Sequence, residues 1–296
     1  PGEGRILGVW LFGEDIIAFR NVVGGANAKM FKLVVTTWTE ITTPALNPDG
    51  NYEFVNYNFY ASSPKVAMYG VDGQNPPFQW DGTTFTQYTV TGAVGNAEHL
   101  AAHKNHLFLS YPDGQWIHSG IGDPSDWDAT TGGAGAGGVG DDIVSIKPLV
   151  GGVLAFFCKN RIQTLYGSSV TDWDLKDIRQ QADQAGAKAW TVQEITGDAI
   201  YLDDRGLSSM RQAQTYGNFQ AATFDESVRD YVAAFSNSVV GSIISRRTNE
   251  YRLFFDDGKG NTEVLTATLG RGFEGFGRTL YPIEISCLCS LEGSDG

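Results

Sequence analysis

Cationic side chains are scarce: the 296 residues carry 21 Lys and Arg against 34 Asp and Glu, a formal net charge of −13. Gripping a phosphate backbone takes clustered cations, so a nucleic-acid-binding role that works by charge is excluded. The acid excess is steepest over residues 1–140, with 13 acids to 6 bases. Cysteine is equally sparse. Cys158, Cys287 and Cys289 are too few for a disulfide framework, and the last two, one residue apart, would point to the same side of a strand. All three read as small buried hydrophobes. No apolar run approaches the ~20 residues that span a bilayer, and the best one, 149–158, is broken by Gly151 and Gly152. The chain therefore reads as soluble, without a secretory leader and without membrane insertion. Pro1 at one end and Gly296 inside an Asp-Gly turn signal at the other read as the limits of an ordered part of something longer.

Helical periodicity is nearly absent, and what fills the chain is strand and turn. There are 37 Gly and 10 Pro, a composition that favours many short elements. Residues 6–12, 16–21 and 29–37 read as a three-strand meander, and 52–60 as a further strand. Six Asp-Gly pairs begin at Asp49, Asp72, Asp81, Asp113, Asp257 and Asp295, the dipeptide that a tight hairpin turn with positive φ asks for.

The same arrangement of strands and turns then recurs. One unit holds 66–71, 77–80 and 85–89; the next holds 99–102, 106–111 and 116–119, with turns at Lys104-Asn105 and Asp113-Gly114. A third holds 143–149, 153–157 and 162–167, turning at Lys159-Asn160. Two more lie around 191–195, 199–202 and 208–211, and around 239–245, 250–256 and 262–269. Small antiparallel units at a period of ~35 to 50 residues, none able to bury both faces alone, predict an all-β fold: a β-propeller of about six to seven blades with few helices. A pair of β-sandwiches is disfavoured, because sandwiches do not repeat a whole sheet at that period. The expected organisation is a single propeller domain over 1–296, open to continuation at either end, with room for an inserted or peripheral element in 1–60. One helix is expected at 227–235, where Val228, Tyr231, Val232 and Phe235 fall at helical spacing and Asp225 is available as a cap.

Chemical motifs are few. Gly135, Gly137 and Gly140 match G-x-G-x-x-G, but Asp141 and Asp142 follow where a phosphate needs a helix N-terminus, so the segment reads as a flexible loop. His99, His103 and His106 would gather for zinc on a helix; the setting is a hairpin, which is expected to put the rings on different faces, with His118 isolated. Asp123, Asp126 and Asp128, and Asp256 with Asp257, match no complete calcium loop and read as turn caps. There is no G-x-S-x-G elbow, no Cys with a His partner and no Arg cluster. Trp10, Trp38, Trp80, Trp116, Trp127, Trp173 and Trp190 occur about once per blade, which suits packing between sheets better than one sugar platform.

The segment Trp116-Ile117-His118-Ser119-Gly120-Ile121-Gly122-Asp123-Pro124-Ser125-Asp126-Trp127 resembles a phrase common in tail proteins of short-tailed bacteriophages. Pro124 presets a turn, Asp123 and Asp126 satisfy its amides, and Trp127 folds back on the sheet. Residues 70–83, the 103–108 and 157–162 hairpins and the Asp142-Ile143 strand start are similar to the same family in the same order; Asp204-Arg205-Gly206-Leu207 and the helix near Ser227 are less so, and the first 60 residues match nothing in it. The resemblance implies a propeller subunit of the tail nozzle, or a related head-to-tail hub, in a homo-oligomeric ring, a hexamer. That ring would meet the tail adaptor, the portal and other tail proteins within the virion tail. It implies no enzyme activity, no cofactor, and no catalytic, cofactor-binding or metal residues. Binding residues stay unassigned, with subunit contacts expected from blade sides and from the loops 42–51 and 130–140. Double-stranded DNA would pass through without specific binding, since an acidic ring repels the duplex. A carbohydrate-binding or glycan-cleaving propeller is the alternative, whose carboxylates would come from different blades. A scaffold for cellular protein partners is a third, requiring an exposed apolar patch.

Overall fold

The computed structural model describes residues 3–59, 65–130, 133–178, 186–195, 198–204, 206–212, 219–223, 228–270 and 273–290. Its contacts divide the chain into two compact units, 1–143 and 144–296. In the first unit, β1 (Ile6–Phe12), β2 (Asp15–Asn21), β3 (Ala28–Val34) and β4 (Thr37–Leu46) form one sheet. A second is β5 (Glu53–Tyr57), β6 (Ala67–Val71), β7 (Phe78–Trp80) and β8 (Phe85–Gln87), and a third is β9 (His99–His103), β10 (His106–Ser110), β11 (Gln115–His118) and β12 (Gly135–Gly138).

In the second unit, β13 (Ile143–Leu149), starting at the boundary, joins β14 (Val153–Cys158), β15 (Ile162–Tyr166) and β16 (Asp174–Asp177). The fifth sheet is β17 (Gln193–Ile195), β18 (Asp198–Asp203), β19 (Gly206–Gln212) and β20 (Phe219–Thr223). The sixth is β21 (Val239–Ser245), β22 (Glu250–Asp256), β23 (Thr262–Leu269) and β24 (Phe273–Tyr281). Every sheet is a four-stranded antiparallel meander in chain order. These are the six blades of a β-propeller, at the lower end of the expected count.

Several strands coincide with the expected ones, and the differences share one cause. Residues 6–46, within the stretch read as room for a peripheral element, make a complete blade rather than a three-strand meander. Its fourth strand, β4, takes up the first half of the loop expected at 42–51. The strands missed elsewhere, β12, β16, β20 and β24, are likewise the fourth of their blades. An outer strand has a neighbour on one edge only and needs no apolar alternation, as β12 and β16 show. β16, Asp-Leu-Lys-Asp, has one half-buried residue and three exposed ones.

Turn chemistry follows the Asp-Gly reading. Gly73, Gly82 and Gly258 have φ of 73°, 96° and 68°, and Asp113 and Gly114 have 62° and 76°. Lys104 and Asn105 both have positive φ, as a two-residue hairpin turn requires. Asp295 lies outside the described residues.

The apolar core sits between sheets. In the first unit, Leu7, Ile17, Phe19 and Met30 of the first blade pack on Phe54, Met68, Phe78 and Trp80 of the second. The second blade's other face gives Tyr69 and Val71 to Leu100, Leu107, Leu109 and Ile117 of the third. In the second unit, Val153, Ala155 and Phe157 pack on Ala199, Tyr201 and Met210, and Leu202 and Leu207 on Tyr251, Leu253 and Phe255. Trp80 and Trp127 are buried in these layers and Trp10 packs against one, as their spread along the sequence predicts.

Among the described residues the one α-helix is α1 (Arg229–Phe235), which lies between β20 and β21 in chain order. Val232 is buried, and Val228, Tyr231 and Phe235 pack on the last layer, matching the helical spacing. The expected cap Asp225, and Ser227, lie outside the described residues. Among the described residues no helix is long and apolar enough to cross a membrane. Cys158 is fully buried in β14, but Cys287 and Cys289 are half-buried and belong to no strand; the expectation of three buried cysteines holds for one.

Phe19 is the hub of the first layer, with its ring centroid 4.2 Å from Tyr52, 5.6 Å from Phe54 and 5.4 Å from Phe78. Phe19→Ala is expected to cost about 3–5 kcal/mol, measured by urea unfolding. A loss below about 1 kcal/mol would mean that the two blades do not depend on this contact.

Candidate functional site

The densest gathering of chemically capable side chains is one face of the third blade. β9 and β10 meet at the two-residue Lys104-Asn105 turn, so His103 stands directly opposite His106 and shares its face. Phe108 continues that face, and β11 adds His118 opposite Phe108 and Trp116 opposite Ser110. Of the three rings expected to lie on different faces, His103 and His106 share one, and His118 joins them: His106 and His118 lie 4.9 Å apart edge to face. Phe108 lies 6.0 Å from His103 and 5.4 Å from His118. His118 is not isolated. A two-residue turn makes its flanking residues a cross-strand pair, so residues 103 and 106 stand face to face whatever the alternation along each strand.

The glycines of the G-x-G-x-x-G match complete this face. Gly135 and Gly137 belong to β12, opposite His118 and Trp116. A Cβ on Gly135 would fall 2.6 Å from His118 Nε2, and one on Gly137 2.3 Å from the Trp116 ring. The imidazole and indole lie across the neighbouring backbone, and only glycine leaves room for them. The segment read as a flexible loop is a strand, with its glycines spent on packing.

The hydrogen bonds of this cluster are local. Nδ1 of His106 and of His118 both donate to the Ser119 carbonyl, at 2.6 and 2.9 Å. Ser119 Oγ accepts the amide of Leu107 at 3.0 Å and donates to the Gly120 carbonyl. All of these side chains are buried. Burial pushes His103 down to about 4, with the charges of Lys104 and His106 adding to it. Burial likewise lowers His118 to about 4, against the opposing pull of the Ser119 carbonyl. The same two influences leave His106 below its usual value. Near neutral pH the rings are uncharged packing groups, and the Nδ1–H atoms of His106 and His118 are committed to the Ser119 carbonyl.

The fourth histidine stands apart. His99 Nδ1 lies 2.8 Å from Glu53 Oε2, joining the first strands of the second and third blades.

The aspartates expected to cap turns do so. Asp123 Oδ1 accepts the Ser125 amide at 2.9 Å, Asp126 Oδ1 the Asp128 amide at 2.9 Å, and Asp128 Oδ1 the Thr130 amide at 2.8 Å. Trp127 folds in beside Tyr88, 6.3 Å away. Asp256 accepts the Gly258 amide, and Asp257 accepts those of Lys259 and Asn261. The Asn261 side chain, with these amides, holds Asp257 below its usual value. Among the described residues no three His, Cys, Asp or Glu side chains are set as metal ligands.

A polar network escaped the sequence reading. Buried Asp72 accepts the Gln74 and Asn75 amides, and Oδ2 accepts Asn75 Nδ2 at 2.6 Å. Asn75 Oδ1 accepts the Asn47 amide at 2.7 Å, and Asn21 Nδ2 donates to Asp49 at 2.6 Å. Burial first, and the Asp72 charge second, raise the pKa of Tyr52. These bonds tie 47–52 to its own chain, so the second half of the expected contact loop is a staple between the first two blades. Its sequence signal is the Asn-Pro-Asp-Gly at 47–50 with Asp72-Gly-Gln-Asn, which marks both turns but not their pairing.

No family model matches the sequence, and no curated protein matches it. Solved structures do. PorZ, an essential bacterial surface component of the type-IX secretion system of Porphyromonas gingivalis, matches 90% of this chain at 10% identity and a TM-score of 0.59. The chain spans 41% of the PorZ chain. Virginiamycin B lyase from Staphylococcus aureus matches 95% of this chain and 85% of its own, at 10% identity and a TM-score of 0.57. The computationally designed Ika8 protein matches 98% and 92%, at 9% identity and 0.57. At such identities the likeness is one of fold.

Two outcomes follow from the third blade. Gly137→Ala forces Trp116 off its neighbour and is expected to cost about 1–3 kcal/mol; an unchanged urea midpoint would contradict the packing. Unfolded, each histidine titrates near 6.5, and folded His103 and His118 resist protonation until about 4. Within that window the unfolded chain binds more protons. Stability that is full above pH 6.5 is therefore lost as pH falls towards about 4, by on the order of 3 kcal/mol per ring at most. His118→Asn should reduce the loss, and a pH-independent midpoint across the window would count against the buried neutral rings.

Proposed function

We propose that this chain is a structural subunit of the tail of a short-tailed bacteriophage, a propeller in a nozzle or head-to-tail hub ring that forms part of the DNA ejection channel. The observation that carries the reading is the corner at 116–127. β11 leads into the Gly120↔Asp123 bridge, each aspartate caps the chain two residues on, and Trp127 is buried against the second and third blades. The phrase on which the phage resemblance rests thus works as a packing corner, as that resemblance implies.

The polar groups support a structural role. His103, His106, His118 and Trp116 of the third blade are buried, with burial holding the three imidazoles neutral, and Asp123, Asp126, Asp128, Asp256 and Asp257 are occupied by backbone amides. We read the protein as not an enzyme on these grounds; the likeness to virginiamycin B lyase is one of fold. The net charge of −13 suits a conduit through which a duplex slides without being held.

Light scattering on the purified chain, alone and mixed with portal and adaptor proteins, tests the reading. Assembly to a multiple of the monomer mass is expected, with no retardation of double-stranded DNA by the assembly at physiological salt. A persistent monomer that ignores both partners would contradict it and favour a glycan-handling propeller, while tight, salt-sensitive DNA binding would contradict the conduit.

A further inference from the structure

The outer strands of the blades are unequal. β8, β12, β16 and β20 have three to five residues, whereas β4 has ten and β24 nine. Each of these two has no further strand beyond it in its sheet, and a long exposed edge is a template for another chain. Near β24, Leu280 and Ile283 are 55% and 59% exposed. At the tip of the β3–β4 hairpin Val35 is 91% exposed, with φ at 58°, a backbone region that disfavours a β-branched residue.

We propose that β24 of one copy of this chain adds, antiparallel, to the free edge of β4 of a second copy. The proposal rests on the ring reading, since such a head-to-tail contact is the kind that builds rings.

Backbone alternation selects the register. The β3–β4 turn has two residues and is closed by Val34 opposite Thr37. The amide of Thr37 therefore faces β3, and those of Trp38 and Glu40 face outward. In the sixth blade the Leu269 amide donates to the Asn249 carbonyl at 2.7 Å, towards β22. Alternation then turns Thr262, Val264 and Thr266 towards β24, where Tyr281, Thr279 and Gly277 are their partners. The amides of Arg278 and Leu280 are left facing outward.

Two outward-facing sets bond when Glu40 stands opposite Arg278. That places Trp38 opposite Leu280 and Thr39 opposite Thr279. The ladder ends at Pro44, which has no N–H to give. A slip of one residue loses the match of outward amides, and a slip of two sets Glu40 against Leu280 or Phe276. Only this alignment pairs the charges. Glu40 already holds Lys29 at 2.8 Å and Arg278 holds Glu263 at 2.5 Å, so the joined edges would read Lys29, Glu40, Arg278, Glu263 in alternating sign.

Proline tests the ladder, because at Glu40 and at Leu280 it removes an amide that the blade itself does not use. Glu40→Pro disables the β4 edge and Leu280→Pro the β24 edge. By light scattering, each variant alone is expected to lose assembly and run at the monomer mass. A one-to-one mixture should reach twice that mass and no more, since one intact edge of each kind remains. Should a proline variant lack the wild-type circular dichroism, Glu40→Lys or Leu280→Lys replaces it. Variants that assemble as wild type does overturn this interface and leave the ring reading standing. A mixture that stays monomeric overturns the head-to-tail pairing. Wild-type chain that remains monomeric, alone and with portal and adaptor proteins, overturns both.

Discussion

A four-stranded blade with apolar side chains on both faces cannot bury either without a neighbour, and most of what is seen in this chain follows from that constraint. The second blade gives Phe54, Met68, Phe78 and Trp80 to one layer and Tyr69 and Val71 to the next. The fifth likewise gives Ala199, Tyr201 and Met210 to one side and Leu202 and Leu207 to the other. A single sheet of this kind would expose both of its apolar faces to water, so the chain has to repeat the unit. The bonds between blades, such as Asn75 to Asn47 and Glu53 to His99, fix how neighbouring sheets line up. They satisfy polar groups that the stacking would otherwise strand.

The same constraint explains what could be read from residues alone. First, second and third strands lie in the layers and carry the β-branched and aromatic runs that betray them; 6–12, 143–149, 239–245, 250–256 and 262–269 coincide with strands end to end. The fourth strands β12 and β16 are mostly exposed or half-buried, and their sequences are freed from the pattern. β12 is Gly-Ala-Gly-Gly because Trp116 and His118 lie over it. Its glycines look like a loop or a phosphate cradle until the indole and imidazole above them are seen. β24 carries two glycines beside which a Cβ would meet nothing within 4 Å.

The histidine cluster was half legible. Its turn, Lys104-Asn105, was readable, and that turn sets His103 against His106. The contribution of His118 depends on how β11 registers with β10, through a loop at Pro112–Gly114 whose geometry no local pattern fixes. The Asp72 network was illegible for the same reason, since it joins turns from two blades. In both places residue types that often signal catalysis serve burial and alignment. Buried neutral imidazoles and saturated carboxylates hold a fold.

Electron-microscope class averages of the purified chain mixed with portal and adaptor proteins test the structural reading most directly. A closed ring of copies seated on the adaptor, with an axial passage wide enough for a DNA duplex, is the expected result. Single propellers, attached to neither partner, would contradict it.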